Sequence, residues 1–373
     1  MALILTFLGK GGVGCTKIAI AAAKQLSGLG SRVLFVGQDP SPTLSILLGV
    51  NTTHDPTEIA PNLRVVQLNT TSLLEQSWEE VKVLEAKYLR TPTLKNVYGQ
   101  ELGILPGMDS ALALNAVREY EASGKYDVII YDGTGDLSTL RLLGIPEILS
   151  WYIRRFRQVF AESDIGKTLS PFVQPVTSAI MNMSWTPEDL TSEPTNQANE
   201  LLDQGKKAIA DPNRVAAYLV TNETPEAVAT AKYLWGSAQQ IGLTVGGVLL
   251  NQTFPPLTKG ADGGVNSNIT TEFSPLPITQ LPYADNWETL VNALPNLKNA
   301  AQAPKPIIID TATSQVRVFL PGFDKKQVKL TQYGPEITIE AGDQRRNILL
   351  PPSLSGKPVK GAKFQEGYLI ITL

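Results

Sequence analysis

Gly9-Lys10-Gly11-Gly12-Val13-Gly14-Cys15-Thr16 follows a short apolar run, Leu3 to Leu8, and leads into the helix-favouring stretch Ile18 to Leu26. Strand, glycine turn and helix in this order form a phosphate-binding context. The glycines let backbone amides turn inward, and the helix start adds unpaired N–H groups and the positive end of its dipole. One position departs from the usual pattern, because the lysine expected before Thr16 is Cys15. An amide cradle holds an anion without that lysine. Phosphoryl transfer suffers more, since the missing charge would sit between the outer phosphates as negative charge redistributes. A cysteine at a helix start can have a lowered pKa, but a thiolate would repel phosphate, so Cys15 should be neutral beside a bound nucleotide. Lys17 is the nearest other cation. Two residues along a helix point about 200 degrees apart, so its side chain should miss the site that the lysine would have filled. Nucleotide binding that is weakened but retained, with slow hydrolysis, is the expectation.

Outward from the loop, apolar strand signals at about 3–8, 32–37, 63–67, 127–131, 215–221 and 246–250 alternate with helical patterns. That alternation predicts an α/β fold, a doubly wound parallel sheet built by right-handed crossovers, with ligand at the carboxyl ends of the strands. Residues 71–103 and 150–205 are too long for simple crossovers and are expected to be helical insertions. The second includes Trp151, Phe156, Val159, Phe160 and the charge-free run Thr168 to Pro187, whose Met181, Met183 and Trp185 suit an adaptable apolar surface or equally a packed core or lid. Polar, proline-bearing residues 296–306 read as a linker. Beyond it, strand signals at 307–310, 315–320, 328–333, 336–341, 345–350 and 369–373 predict a small β-sandwich.

Composition bounds the function classes. At 373 residues, 43% apolar and with a net charge of −3, the chain has room for two domains and no basic face for nucleic acid. One cysteine rules out an internal disulfide framework, a cysteine-based zinc site and an iron–sulfur cluster within one chain. The single histidine, His54, has no companions, and we read it as an exposed loop residue. No charged leader precedes the first strand and no apolar run could span a bilayer, so a cytoplasmic protein without a transmembrane segment is expected.

Lys10 together with Gly14 and Thr16 resembles the deviant phosphate-loop group of arsenite-pump ATPases, tail-anchored protein targeting ATPases, partition and division ATPases and the nitrogenase iron protein. Val33 to Ser45, with Asp39 inside it, is similar to switch I of the first two. Tyr126 to Asp132, Thr139 to Leu143, Asp211-Pro212, Tyr218 to Thr221, Pro225-Glu226 and Val248 to Gln252 match their later landmarks, so the resemblance covers residues 1–295. It implies a site for ATP or ADP cradled by Gly9, Lys10, Gly11, Gly12, Val13, Gly14, Cys15, Thr16 and Lys17. Mg²⁺ would be held by Thr16 and, through water, by Asp132. Asp39 would orient the attacking water, and Lys10 would reach the phosphates of a partner subunit in a homodimer. Asn251 would meet the adenine edge and Pro282 would pack on the base; the less favoured readings are a helix cap for Asp132 and a turn former for Asn251. In residues 307–373, Val318 to Phe323, Ile337 to Glu340, Arg346 to Pro351 and Gly367 to Ile371 resemble an α-crystallin, or small heat-shock, domain. This combination is most similar to tail-anchored targeting homologues of cyanobacteria and chloroplasts, which implies a hydrophobic membrane-protein segment as client. A pseudo-ATPase that uses nucleotide as a dimer staple and a holdase with a vestigial loop are the alternatives.

Overall fold

The computed structural model describes residues 1–88, 94–161, 193–252 and 267–373. Its centre is an eight-stranded sheet in the order β3-β4-β2-β5-β1-β6-β7-β8. The strands are β1 (Leu3–Leu8), β2 (Val33–Gly37), β3 (Thr57–Ala60), β4 (Leu63–Gln67), β5 (Val128–Asp132), β6 (Val215–Thr221), β7 (Thr244–Asn251) and β8 (Ile278–Leu281). All neighbours are parallel except β3, which pairs antiparallel with β4 at the edge. The chain first builds outward from β1 to β4 and then returns to place β5 between β2 and β1. The strand order therefore reverses beside β1, and the glycine loop stands at that reversal.

Alternation along β1 divides the core. Leu5 and Phe7 face one layer with α1 (Cys15–Gly28), whereas Thr6 and Leu8 face the other. Ala19, Ala21, Ala22 and Ala23 let α1 lie close to the sheet, and as strong helix formers they support it locally. It ends where Gly30 turns with φ 88° and the Ser31 amide returns to the Leu26 carbonyl at 3.1 Å. The opposite face is covered by α4 (Met108–Ala122), α5 (Leu137–Ala161), α6 (Glu193–Ala210) and α7 (Pro225–Gln240), preceded in the chain by α2 (Thr43–Leu48) and α3 (Thr70–Tyr88). Helices α8 (Ser267–Glu272) and α9 (Trp287–Ala293) complete the unit. The first insertion is helical: α3 packs on α4, and the Trp78 indole donates to the Val97 carbonyl at 2.9 Å. Residues 162–192, which carry Thr168 to Pro187 with Met181, Met183 and Trp185, lie outside the described residues, as do the side chains of Phe156, Val159 and Phe160.

Residues 297–302 are not free chain. They form a 3₁₀ turn in which Leu297 and Ala300 are buried, and the Leu297 carbonyl accepts from the Tyr218 hydroxyl at 2.9 Å. Beyond it, β9 (Ile307–Asp310), β10 (Gln315–Phe319), β14 (Gly361–Gln365) and β15 (Tyr368–Thr372) form one antiparallel sheet, ordered β14-β15-β10-β9. The strands β11 (Val328–Tyr333), β12 (Glu336–Ala341) and β13 (Gln344–Leu349) form another. Val316, Val318, Leu369 and Ile371 of the first meet Ile337, Ile339 and Ile348 of the second in one core.

This sandwich is seated on α7. At Gly236 an added Cβ would stand 2.3 Å from the Pro321 carbonyl oxygen, so helix and sandwich approach as closely as glycine allows. Trp235 packs edge-on against Phe319 with ring centroids 5.3 Å apart, and Phe319 belongs to the core of the large sheet. Polar contacts frame the seam. Gln240 Nε2 donates to the Ala341 carbonyl at 3.0 Å, Arg346 Nη1 donates to the Gln240 carbonyl at the end of α7, and the Asp343 amide donates to the Tyr233 hydroxyl at 3.0 Å. From α5, Trp151 Nε1 and Arg154 Nε each reach Glu336 at 3.0 Å, and Arg141 pairs with Asp343.

Candidate functional site

The loop between β1 and α1 has the backbone its glycines predict. Gly12 and Gly14 have φ of 88° and 95°, which L side chains rarely adopt. Nothing lies within 4 Å of a Cβ placed at Gly11 or Gly12, and both residues are exposed, so the cradle opens outward. Among the described residues, no acceptor takes the amides of Gly11, Gly12, Gly14 or Thr16. Unsatisfied donors around a left-handed turn at a helix start fit a phosphate chain. The back of the loop is closed: a Cβ at Gly9 would stand 2.3 Å from the Val220 carbonyl oxygen, and one at Gly14 would stand 2.7 Å from Asn251 Nδ2.

Asn251 ends β7, is buried, and donates from Nδ2 to the Val13 carbonyl at 2.8 Å. Its amide nitrogen thus fastens the loop to the sheet. Val13 itself is buried below the cradle. The Lys17 ammonium donates to the Ala284 carbonyl at 2.7 Å, away from the phosphate cradle, as helical spacing requires. Pro282 and Tyr283, in the same turn after β8, are exposed. Lys10 is exposed and pairs with no other side chain among the described residues, so its ammonium is free to meet a group from outside the chain.

Cys15 occupies the start of α1. Its sulfur lies 3.2 Å from a Cβ placed on Gly9 and 3.5 Å from one on Gly135, wedged between the glycine loop and the segment after β5. These segments are also joined directly, with the Gly9 amide donating to the Gly135 carbonyl at 2.8 Å. Burial pushes the thiol up to about 12, and the nearby Asp132 charge adds to that. Desolvation outweighs any lowering at the helix start, so Cys15 is a neutral thiol at ordinary pH.

Asp132, the last residue of β5, is buried and accepts from the Thr16 hydroxyl at 3.3 Å. Burial raises its carboxyl to about 7, Asp39 adds to the rise and the Thr16 bond opposes it. A threonine hydroxyl and a carboxylate beside an open phosphate cradle are hard oxygen donors that fit Mg²⁺. Among the described residues, no cluster of three or more His, Cys, Asp or Glu side chains could cage a metal alone. A magnesium ion would therefore complete its shell with phosphate oxygens and water.

Asp39 stands in the exposed segment after β2. Its two carboxylate oxygens accept from the Ser41 amide at 2.9 Å and the Ser41 hydroxyl at 2.7 Å, closing a tight turn. Gln67, at the end of β4, was not singled out from the sequence, yet its Nε2 donates to the carbonyls of Asp39 and Ser41, each at 2.7 Å. Gln38 accepts from the Tyr131 hydroxyl at 2.6 Å, and Thr139 Oγ1 accepts the Gly135 amide at 3.0 Å. Polar residues at strand ends were the available signal for these braces. Both segments open toward a cleft of about 1350 Å³ between α5 and the outer face of β11–β13, which Gln38, Thr134 and Ser138 help to line.

Residues 2–300 match the family described as "Anion-transporting ATPase", and residues 312–373 match the "HSP20-like domain found in ArsA". A Chlorobaculum tepidum protein named "Putative arsenical pump-driving ATPase" is 26% identical, the match covering 99% of this chain and 95% of that one. "Putative arsenical pump-driving ATPase 1" of Aquifex aeolicus is 23% identical over 99% of both chains. "ATPase GET3" of Malassezia globosa is 26% identical over a shorter region, 49% of this chain and 52% of the fungal protein.

Proposed function

The chain belongs to the anion-transporting ATPase family, and on that premise we propose that it is a nucleotide-operated homodimeric targeting factor or chaperone for hydrophobic membrane-protein segments, hydrolysing ATP slowly. The observation that carries the nucleotide part is the open cradle of unpaired amides directly beside the Thr16–Asp132 oxygen pair. Amides of the loop bind the phosphates, and Thr16 with Asp132 provides the seat for Mg²⁺, which when bound neutralises phosphate charge. Lys10, exposed and without a side-chain partner among the described residues, serves the partner's phosphates. Asp39 orients water only after its carboxylate exchanges Ser41 for that water. The client role rests on the kinship with the GET3-type ATPases and on the residue types of the second insertion.

A second reading has its own support. Cys15 is a neutral thiol where the loop calls for a cation, and both carboxylate oxygens of Asp39 are engaged by Ser41, which together favour a nucleotide staple without turnover. Single-turnover hydrolysis by the wild type, Asp39→Asn and Cys15→Lys separates the two. Slow wild-type turnover that disappears in Asp39→Asn and rises in Cys15→Lys supports the ATPase. ATP bound without turnover in all three supports the staple. Sedimentation with and without nucleotide tests the dimer; a monomer in both states rejects it.

A further inference from the structure

Lys17 has no part in the phosphate cradle, yet it is committed. Its half-buried side chain leaves the first turn of α1 and donates to the Ala284 carbonyl, 267 residues further on, at 2.7 Å. Ala284 is buried, while the two residues before it, Pro282 and Tyr283, present exposed rings at the carboxyl edge of the sheet. Further along the same side of α1 the pattern repeats. Lys24 stands 5.5 Å from the Trp287 ring centroid, and Gln25 Nε2 donates to the carbonyls of Val291 at 3.1 Å and Leu294 at 3.0 Å. Residues 17, 24 and 25 thus form one row that holds the whole 284–294 segment against the helix whose start is the phosphate loop.

Among the described residues the two flanks of the loop differ in how their acids stand, since the acid of the β7–β8 side, Asp285, is exposed and tied to the Tyr283 hydroxyl. On the β2–β5 side stand Asp39 and Asp132, the natural end for a divalent cation and the outer phosphates. On the β7–β8 side stand the Asn251 amide, which grips the loop itself, and the exposed Pro282 and Tyr283 rings. A nucleotide with its outer phosphates toward the acids directs its nucleoside toward those rings. We propose that Lys17 is a positioning residue for the nucleoside: through the Ala284 carbonyl it sets the height of the Pro282–Tyr283 turn above the phosphate loop. The assignment rests on the nucleotide-binding reading. A charge-assisted bond to a carbonyl is strong for its length, and losing it frees the turn without changing any donor of the cradle.

Titration calorimetry of the full chain with MgATP and with magnesium tripolyphosphate tests this, because tripolyphosphate fills the cradle without a nucleoside. Lys17→Met should weaken ATP about tenfold and leave tripolyphosphate within about twofold, as expected for one lost charge-assisted hydrogen bond. Lys17→Arg, which keeps a donor of similar reach, should retain ATP affinity within about threefold and guards against a folding defect in Lys17→Met. Equal weakening of both ligands, or no weakening of ATP, overturns the positioning role alone. Failure of the wild type to bind either ligand overturns the nucleotide reading and the positioning role with it.

Discussion

Replacing Gly236 by alanine should destabilise the protein although it improves the helix. Gly236 lies inside α7, where glycine costs about 1 kcal/mol relative to alanine, so helix propensity alone predicts a gain of that size. The added Cβ, however, would stand 2.3 Å from the Pro321 carbonyl oxygen and 2.5 and 2.7 Å from two atoms of the Phe323 ring. The carbonyl belongs to the backbone of the sandwich and cannot rotate away, so the sandwich must lift off α7 or the helix must shift. Overpacking of this kind costs about 1–3 kcal/mol or more, and lifting also loosens the Trp235–Phe319 contact. Against the gain of about 1 kcal/mol from helix propensity, a net loss of up to about 2 kcal/mol is expected. Urea denaturation followed by tryptophan fluorescence and by far-ultraviolet circular dichroism measures it, and the two probes should move together. Gly28→Ala is the control, at the exposed end of α1 with nothing within 4 Å of the new methyl, and should be neutral or slightly stabilising. A Gly236→Ala protein as stable as the control would refute the close seating of the sandwich on α7.

In metal-free protein, Asp132 holds its proton up to about pH 7 while the unfolded carboxyl loses it near 4, so stability should fall between these values and level off above them. Asp132→Asn should flatten that profile and be more stable than wild type at pH 8 by a few kcal/mol at most; parallel profiles would contradict the burial argument. Asp127 behaves oppositely, since hydrogen bonds from the Arg32 side chain and amide lower its carboxyl to about 2. Its contribution is present above about pH 4 and is lost as pH falls through 2, and because the pair is half exposed Asp127→Asn should cost less than ~1 kcal/mol at pH 7. A cost that grows on acidification would reverse the assignment. The Cys15 thiol, held neutral between Gly9 and Gly135, should react with Ellman's reagent at pH 8 at least tenfold more slowly than in urea-unfolded chain; equal rates would mean the sulfur is open to solvent.

How much was legible depended on whether a residue's role is local. The glycine loop, the six central parallel strands and most sandwich strands announce themselves through short-range pattern. The sheet edges do not: β3 is four half-exposed or exposed residues, and β14 carries Gly361 and Lys363 with little burial, so neither has an alternating signature. In the site, Thr16 and Asp132 were readable because each sits at a fixed offset from a strand or loop, and they do meet. The direction of Lys17 followed from helix geometry, but its acceptor, Ala284, could not, since that contact is made by tertiary folding. Gln67 was invisible for the same reason. The raised pKa values of Cys15 and Asp132 come from desolvation, which depends on what the fold packs around them.

The helix α5 joins two places that the sequence keeps far apart. It starts two residues after Gly135, whose carbonyl takes the Gly9 amide, and near its far end Trp151 and Arg154 hold Glu336 of β12. At 1.5 Å per residue, Arg154 lies about 25 Å along the axis from the helix start, so a tilt of only about 5 degrees there carries Arg154 through about 2 Å. That displacement is enough to break a 3.0 Å hydrogen bond. A rigid tilt of α5 about its start would thus be magnified toward Glu336, as far as the helix stays straight through Pro146. A movement too small to notice at Gly135 becomes, at Glu336, the difference between a made and a broken hydrogen bond, while the seat on α7 holds the sandwich in place.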